Sequence, residues 1–211
     1  MLNIGLPSGT EFLLISVNMG VIYAAIRPFG AQAQAGFGIG SRVMQAGFMP
    51  AVAISFGVDA VVGQNFGARA AARVREAFRE STKLTVGFML LLTLVCQVSP
   101  ASLVSPFAKE PGAIAIGADY LRVISLNYVA SGMVLVIAGI FQGLGNTWPS
   151  LLCSMLRSAL FVLPVLWLMS RGGFAIQTIW WIGVVSVLVQ GALCLYLITR
   201  ELQIKAPRDV A

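Results

Sequence analysis

Six stretches of almost unbroken apolar residues, near 6–26, 44–63, 84–106, 121–141, 150–169 and 178–198, divide the chain. Each approaches the ~20 residues a helix needs to cross ~30 Å of hydrocarbon. The pattern therefore predicts an all-α, polytopic membrane bundle of about six transmembrane helices. Residues 1–199 form the membrane unit, and 200–211, RELQIKAPRDVA, form a polar tail. The first stretch starts almost at Met1 without a basic leader, and no small-residue cleavage pattern ends it. It is expected to stay in the protein as a span rather than leave as a signal peptide.

Composition supports the pattern. Of 211 residues, 58% are hydrophobic and 10% charged, against roughly 45–50% and 25% in soluble domains. The spans are rich in Gly, Ala and Ser, which favours close helix packing in lipid, and Gly36-xxx-Gly40, Gly63-xxx-Gly67 and Gly139-xxx-Gly143 have the spacing for it. Cys96, Cys153 and Cys194 are widely separated within apolar runs, as core packing residues would be. The chain has no His, and no nucleophile has a base at motif spacing, so neither a metal site nor an enzyme is expected. The net charge of +6 sits on residues flanking apolar stretches, which argues for orientation in a bilayer and against nucleic-acid binding.

The most basic connection is GARAAARVREAFRESTK, with Arg69, Arg73, Arg75, Arg79 and Lys83 opposed by Glu76 and Glu80. Val74, Ala77, Phe78 and Leu84 are placed on one side of a helix near 69–83, which either lies on the membrane surface or simply continues into the third span. Placing this loop in the cytoplasm by the positive-inside rule puts both termini there too. Arg200, Lys205 and Arg208 then join the inner side, facing Arg27, Arg42, Lys109, Arg122 and Arg171 on the outer side.

Charge inside hydrocarbon costs at least ~2.5–3.5 kcal/mol per residue and needs a reason. Glu11, one turn into the first span, is either a proton or cation site or a carboxylate at headgroup level near the positive end of its helix. Asp59, near the basic end of the second span, has three readings: pairing with Arg69 or Arg157, a place in a proton relay, or contact with water. Arg157, in the fifth span, fits a counter-ion for Asp59, a lipid phosphate contact, or snorkelling to the interface. Asn18, Asn127, Gln142 and Gln190 are amides within or at the ends of spans, suited to interhelical hydrogen bonds or to substrate contact. A substrate cavity would combine Asn18, Asn127, Tyr128 and Gln190 with Phe12, Phe48, Met49, Phe56 and Met133.

Three segments in order, IGLPSGTEFLLISVN with Pro7, VVGQNFGARAAARVREA with Gly63, Gln64, Asn65 and Gly67, and FQGLGNTWPSLLCSMLR with Gln142, Gly143, Gly145 and Arg157, resemble the MATE (multidrug and toxic compound extrusion) transporters. In the second segment the glycines are expected to form a tight turn, and the amides of Gln64 and Asn65 to sit at the membrane boundary. The resemblance implies a proton- or sodium-coupled antiporter without other cofactors, exporting organic cations and other amphipathic compounds. Such carriers have twelve spans in two six-helix lobes, and the motif order here matches the C-terminal lobe. Members with a cation site in that lobe carry acids deeper in its first span and in its fourth. Here those stretches read LLISVN and NYVASGMV, so the family's site residues do not transfer.

The resemblance thus implies a multi-pass protein of a bacterial inner membrane. Its partners would be the bilayer, a small-molecule substrate, and a second lobe supplied by another chain or another copy. The alternative is a truncated fragment that acts only in assembling a membrane complex.

Overall fold

The computed structural model describes residues 2–205, leaving Arg208 and the rest of 206–211 outside the described residues. The elements are α1 (Leu2–Ile26), α2 (Ala31–Gly67), α3 (Ala71–Val98), the short α4 (Pro100–Val104), α5 (Pro111–Ile124), α6 (Tyr128–Gly143), α7 (Trp148–Arg171) and α8 (Ile176–Lys205), with 3-10 turns at Arg27–Phe29 and Ser125–Asn127. No strand occurs among the described residues. Six helical segments are long and apolar enough to span a membrane, with α5 and α6 forming one of them, Pro111–Gly143. Exposed Trp148 and Trp167 stand near the two ends of α7. They are separated by ~28 Å of helix, about the thickness of the hydrocarbon layer they would flank.

Several sequence boundaries shift. The second helix begins at Ala31, well before residue 44, because AQAQAGFGIGSR is helical despite its polar residues. The basic segment is not a separate surface helix but the first part of α3, continuous to Val98. Val74 is fully buried and Ala77 and Phe78 pack beside it, whereas Leu84 is 62% exposed, one position off the buried line Ser81, Thr85, Met89. The fourth span starts ten residues earlier than its most hydropathic stretch, since Asp119 and Arg122 interrupt the apolar run without interrupting α5.

Two apolar cores lie along the bundle. One gathers Phe37, Tyr120, Leu121, Tyr128, Phe161, Trp180 and Val184. The other, toward the basic end, gathers Val62, Val74, Ile140, Phe141, Cys153, Cys194 and Ile198. All three cysteines are buried and free, as packing residues.

α2 runs through the middle of this arrangement, in contact with α3, α5 and α6. Lipid tails are as apolar as the helices, so hydrophobicity alone does not hold spans together and close approach must be allowed by small residues. Gly36 and Gly40 meet α5, where a Cβ would come 2.6 Å from the Ala113 carbonyl oxygen and 2.7 Å from the Tyr120 ring. Gly139 and Gly143 of α6 meet α2: a Cβ on Gly139 would overlap the Ser55 carbonyl, and one on Gly143 would lie 2.7 Å from the Asp59 carbonyl oxygen. Ser55 Oγ donates to the Leu135 carbonyl across the same contact at 2.6 Å. The pair Gly63 and Gly67 is different, with nothing within 4 Å of a Cβ at Gly67.

The break between α5 and α6 would strand carbonyls in a dry interior. α3 supplies their donors. Gln97 Nε2 reaches the Arg122 carbonyl at 2.7 Å and Ser125 Oγ at 2.8 Å, and Thr93 Oγ1 reaches the Ser125 carbonyl at 3.0 Å.

At the basic end, two connections use the same turn. After α6, Asn146 N–H bonds the Phe141 carbonyl and Gly145 N–H the Gln142 carbonyl, with Gly145 left-handed at φ 70°. After α2, Ala70 N–H bonds the Asn65 carbonyl and Arg69 N–H the Phe66 carbonyl, with Arg69 at φ 58° in the same role. The left-handed residue of this turn is therefore Arg69, not one of the glycines of GQNFGA, which remain inside α2. Asn65 Nδ2 bonds back to the Val61 carbonyl of its own helix.

Two outcomes are expected in thermal unfolding of the purified protein in detergent. Gly139→Val should lose ~1–3 kcal/mol by overpacking the α2 contact, while Gly67→Ala should be nearly silent. Arg69→Gly should keep the turn, and Arg69→Val should cost ~1–2 kcal/mol by forcing a β-branched residue left-handed.

Candidate functional site

α1 and α7 run side by side and in the same direction, joined by a seam of polar side chains. Ser150, Ser154 and Ser158 recur every four residues and so share one face of α7. Ser150 Oγ donates to Glu11 Oε1 at 2.8 Å, and Ser154 Oγ to the same oxygen at 3.4 Å. Two turns further along, Asn18 Nδ2 donates to Ser158 Oγ at 2.8 Å and to the Leu14 carbonyl at 2.7 Å. Asn18 thus acts between helices. Glu11 is a half-buried carboxylate held by hydroxyls, with no cation within ion-pair distance among the described residues.

The seam borders two cavities. The first, about 280 Å³, lies where the two cores approach each other and is lined by residues of α1, α2, α5, α6, α7, α8 and the 3-10 turn. Its polar wall consists of Asn18, Asn127, Ser131, Arg157, Ser186 and Gln190, and its apolar wall includes Phe48, Tyr120, Phe161 and Trp180. An aromatic cluster shapes one side. Phe37 stacks on Trp180 at 5.6 Å, and Tyr120 meets Trp180 edge-on at 4.9 Å. The second cavity, about 250 Å³, contains Glu11, Phe12, Ser55, Phe56, Gln142 and Ser150, and Leu135 lines both.

Three of the four substrate-cavity candidates, Asn18, Asn127 and Gln190, therefore come together. Tyr128 does not. It is fully buried in the core beneath Phe48, whose ring meets it edge-on at 5.0 Å. Phe48 lines the first cavity and Phe12 and Phe56 the second, while Met49 and Met133 line neither. Asn127 Oδ1 accepts a bond from Ser131 Oγ at 3.2 Å.

Glu11 and Asp59 are not brought together. Asp59 lies near the basic end of α2 and lines neither cavity, and among the described residues it has no ion pair with Arg69 or Arg157. The counter-ion readings of Asp59 and Arg157 are thereby corrected: α2 and α7 face different neighbours, α2 packing on α3, α5 and α6 and α7 on α1 and α8. Arg157 instead lines the first cavity, ~13 Å along the helix from Trp148, too deep for ready snorkelling.

Pro7 lies near the start of α1, and Gln64 is exposed at the end of α2. Gln142 faces the cavity of Glu11. Near Gly145, Asn146 Nδ2 bonds Glu201 Oε1 at 2.9 Å, and Lys205 Nζ bonds Glu201 at 2.9 Å and the Leu144 carbonyl at 3.3 Å. This ties the α6–α7 turn to the end of α8.

Sequence reasoning passed over Ser150, Ser154, Ser158, Ser186, Tyr120 and Trp180. The four-residue repeat in SLLCSMLRS was a readable signal for the first three. The others became visible only when α5 and α8 were packed together.

No group of three or more metal-ligating side chains occurs among the described residues. A cavity enclosed by membrane-spanning helices, with sparse polar groups on an aromatic wall, suits reversible binding of an amphipathic small molecule rather than bond-making.

A family model described as MatE matches residues 7–168. A probable multidrug resistance protein, NorM, of Thermotoga maritima is 26% identical over 171 residues, covering 81% of this chain and 37% of that protein. A FAD transporter of Shewanella oneidensis is 25% identical over 163 residues, covering 77% of this chain and 36% of that protein. The fold matches the crystal structure of the Vibrio cholerae MATE transporter VcmN in its bent form with a TM-score of 0.87 at 22% identity, covering 97% of this chain and 46% of that one. The chain thus spans little more than a third of the curated relatives it matches. With its all-helical membrane bundle and a family match over most of its length, the chain belongs to the MATE family, whose members are transporters and not enzymes.

Proposed function

We propose that the chain forms one lobe of a two-lobed secondary transporter that exports amphipathic compounds by alternating access. The observation that carries this reading is the polar cavity lined by five of the six spans and bordered by a carboxylate-bearing seam. Helix-lined cavities of this kind are where carriers bind substrate near the bilayer midplane. The names of the matched relatives, multidrug resistance protein and FAD transporter, support transport of bulky organic molecules. Coverage of about a third of those relatives supports a second lobe beside this one.

Coupling to a proton or sodium gradient is assigned to Glu11. Protonation or cation binding would change what Ser150 and Ser154 bond, and so bias how α1 packs on α7. Asp59, outside both cavities, is the weaker candidate. The protein is placed in a bacterial plasma membrane with the Arg69–Lys83 end inside, following the distribution of basic residues.

In proteoliposomes holding the lobe with its partner, Glu11→Gln should lower gradient-driven export of a fluorescent amphiphile about ten-fold, while counterflow without a gradient persists. Asp59→Asn should stay within about two-fold of the unaltered protein. Full coupled export in Glu11→Gln would remove Glu11 from the coupling role. Cross-linking of the chain in its native membrane should trap a second lobe, and recovery of single chains alone would refute the two-lobe assembly.

A further inference from the structure

We propose that the first cavity is an anion-accepting site and that it selects amphiphiles carrying a phosphate, carboxylate or sulfonate over organic cations. Its lining contains one charged residue, Arg157, and no acid. Among the described residues the Arg157 guanidinium has no ion-pair partner within 4.0 Å, and it remains accessible to solvent. Glu11, the acid of the α1–α7 seam, is engaged by Ser150 and Ser154 and lines the neighbouring cavity. Asp59 and Asp119 line neither cavity.

The wall opposite the polar groups is aromatic and rigid. Trp180 is 2% exposed and gives its ring to the wall of the same cavity, while its Nε1–H is enclosed in the core. Phe37 and Tyr120 clamp the indole ring in place. Arg157 is thus a cation open to the recess and without an ion-pair partner among the described residues. An oxyanion supplies that partner, because the guanidinium is a donor only and carries no lone pair to offer a cation. The aromatic wall would take the apolar body of the same molecule.

This deepens the reading of the cavity as a translocation site but is tested by binding, which does not depend on transport. The probes are 1-naphthyl phosphate, uncharged 1-naphthol and 1-naphthylmethylammonium, titrated calorimetrically against the chain in phosphatidylcholine nanodiscs. The unaltered protein should bind the phosphate at least about ten-fold tighter than the ammonium compound. Arg157→Gln should weaken phosphate binding about ten-fold and leave naphthol within about two-fold, and Arg157→Lys should keep most of the preference. Trp180→Phe, which retains the stacked ring, should leave phosphate affinity within about two-fold.

Equal or tighter binding of the ammonium compound, undetectable binding of the phosphate to folded protein, or phosphate affinity unchanged in Arg157→Gln would each overturn the proposal. Loss of phosphate binding in phosphatidylglycerol nanodiscs would also overturn it, by showing that Arg157 serves a lipid headgroup. If binding shows the preference but export fails, the transporter reading falls and this one stands.

Discussion

The close approach of α2 to the broken fourth span is the contact from which the rest of the lobe is built. In water, helices are driven together by burial of apolar surface; in lipid that drive is absent, and packing must come from backbones that come near enough for dispersion and polar contacts to act. Gly36 and Gly40 admit α5 on one stretch of α2, and Gly139 and Gly143 admit α6 on the next. Between these two contacts the fourth span changes from α5 to α6 through a 3-10 turn. The break is tolerated because Thr93 and Gln97 of α3 take up its carbonyls.

That break has a functional consequence. It brings Tyr120 of α5, Asn127 of the turn and Ser131 of α6 to the wall of one cavity. α7 and α8 close the other side with Arg157, Trp180 and Gln190. A membrane bundle rarely spends polar groups inside its core without using them, because each costs desolvation free energy and needs a partner. Here the polar groups divide into two kinds. Asn18, Ser158, Thr93 and Gln97 bond to neighbouring helices and hold the structure, whereas Arg157 and the Trp180 N–H have no protein partner among the described residues.

Charge is segregated in the same manner. The carboxylate of Glu11 sits in the α1–α7 seam among hydroxyls, one cavity away from Arg157. The basic end of the bundle is bound by a separate network through Asn146, Glu201 and Lys205. Under the proposed assignments, a coupling-ion site at Glu11 and a substrate site at Arg157 would differ in sign while sharing Leu135 as a common wall, so that occupancy of one would influence the other.

The sequence by itself determined the membrane, the number of spans and the family. These depend on hydropathy over ~20 residues and on local motifs, which are properties of the chain before it packs. It also determined that Asn18, Asn127 and Gln190 needed partners, because an amide in lipid always does. It misplaced the left-handed residue of the α2–α3 turn, since glycine content favoured GQNFGA while helix length put Arg69 at the corner. It also left the partner of Arg157 open. Which glycines make contact, which serines meet Glu11, and that Arg157 faces a cavity without an acid were decided only by tertiary structure. Each of these depends on the rotation of one helix against another, and a uniformly apolar span carries almost no record of its own rotation.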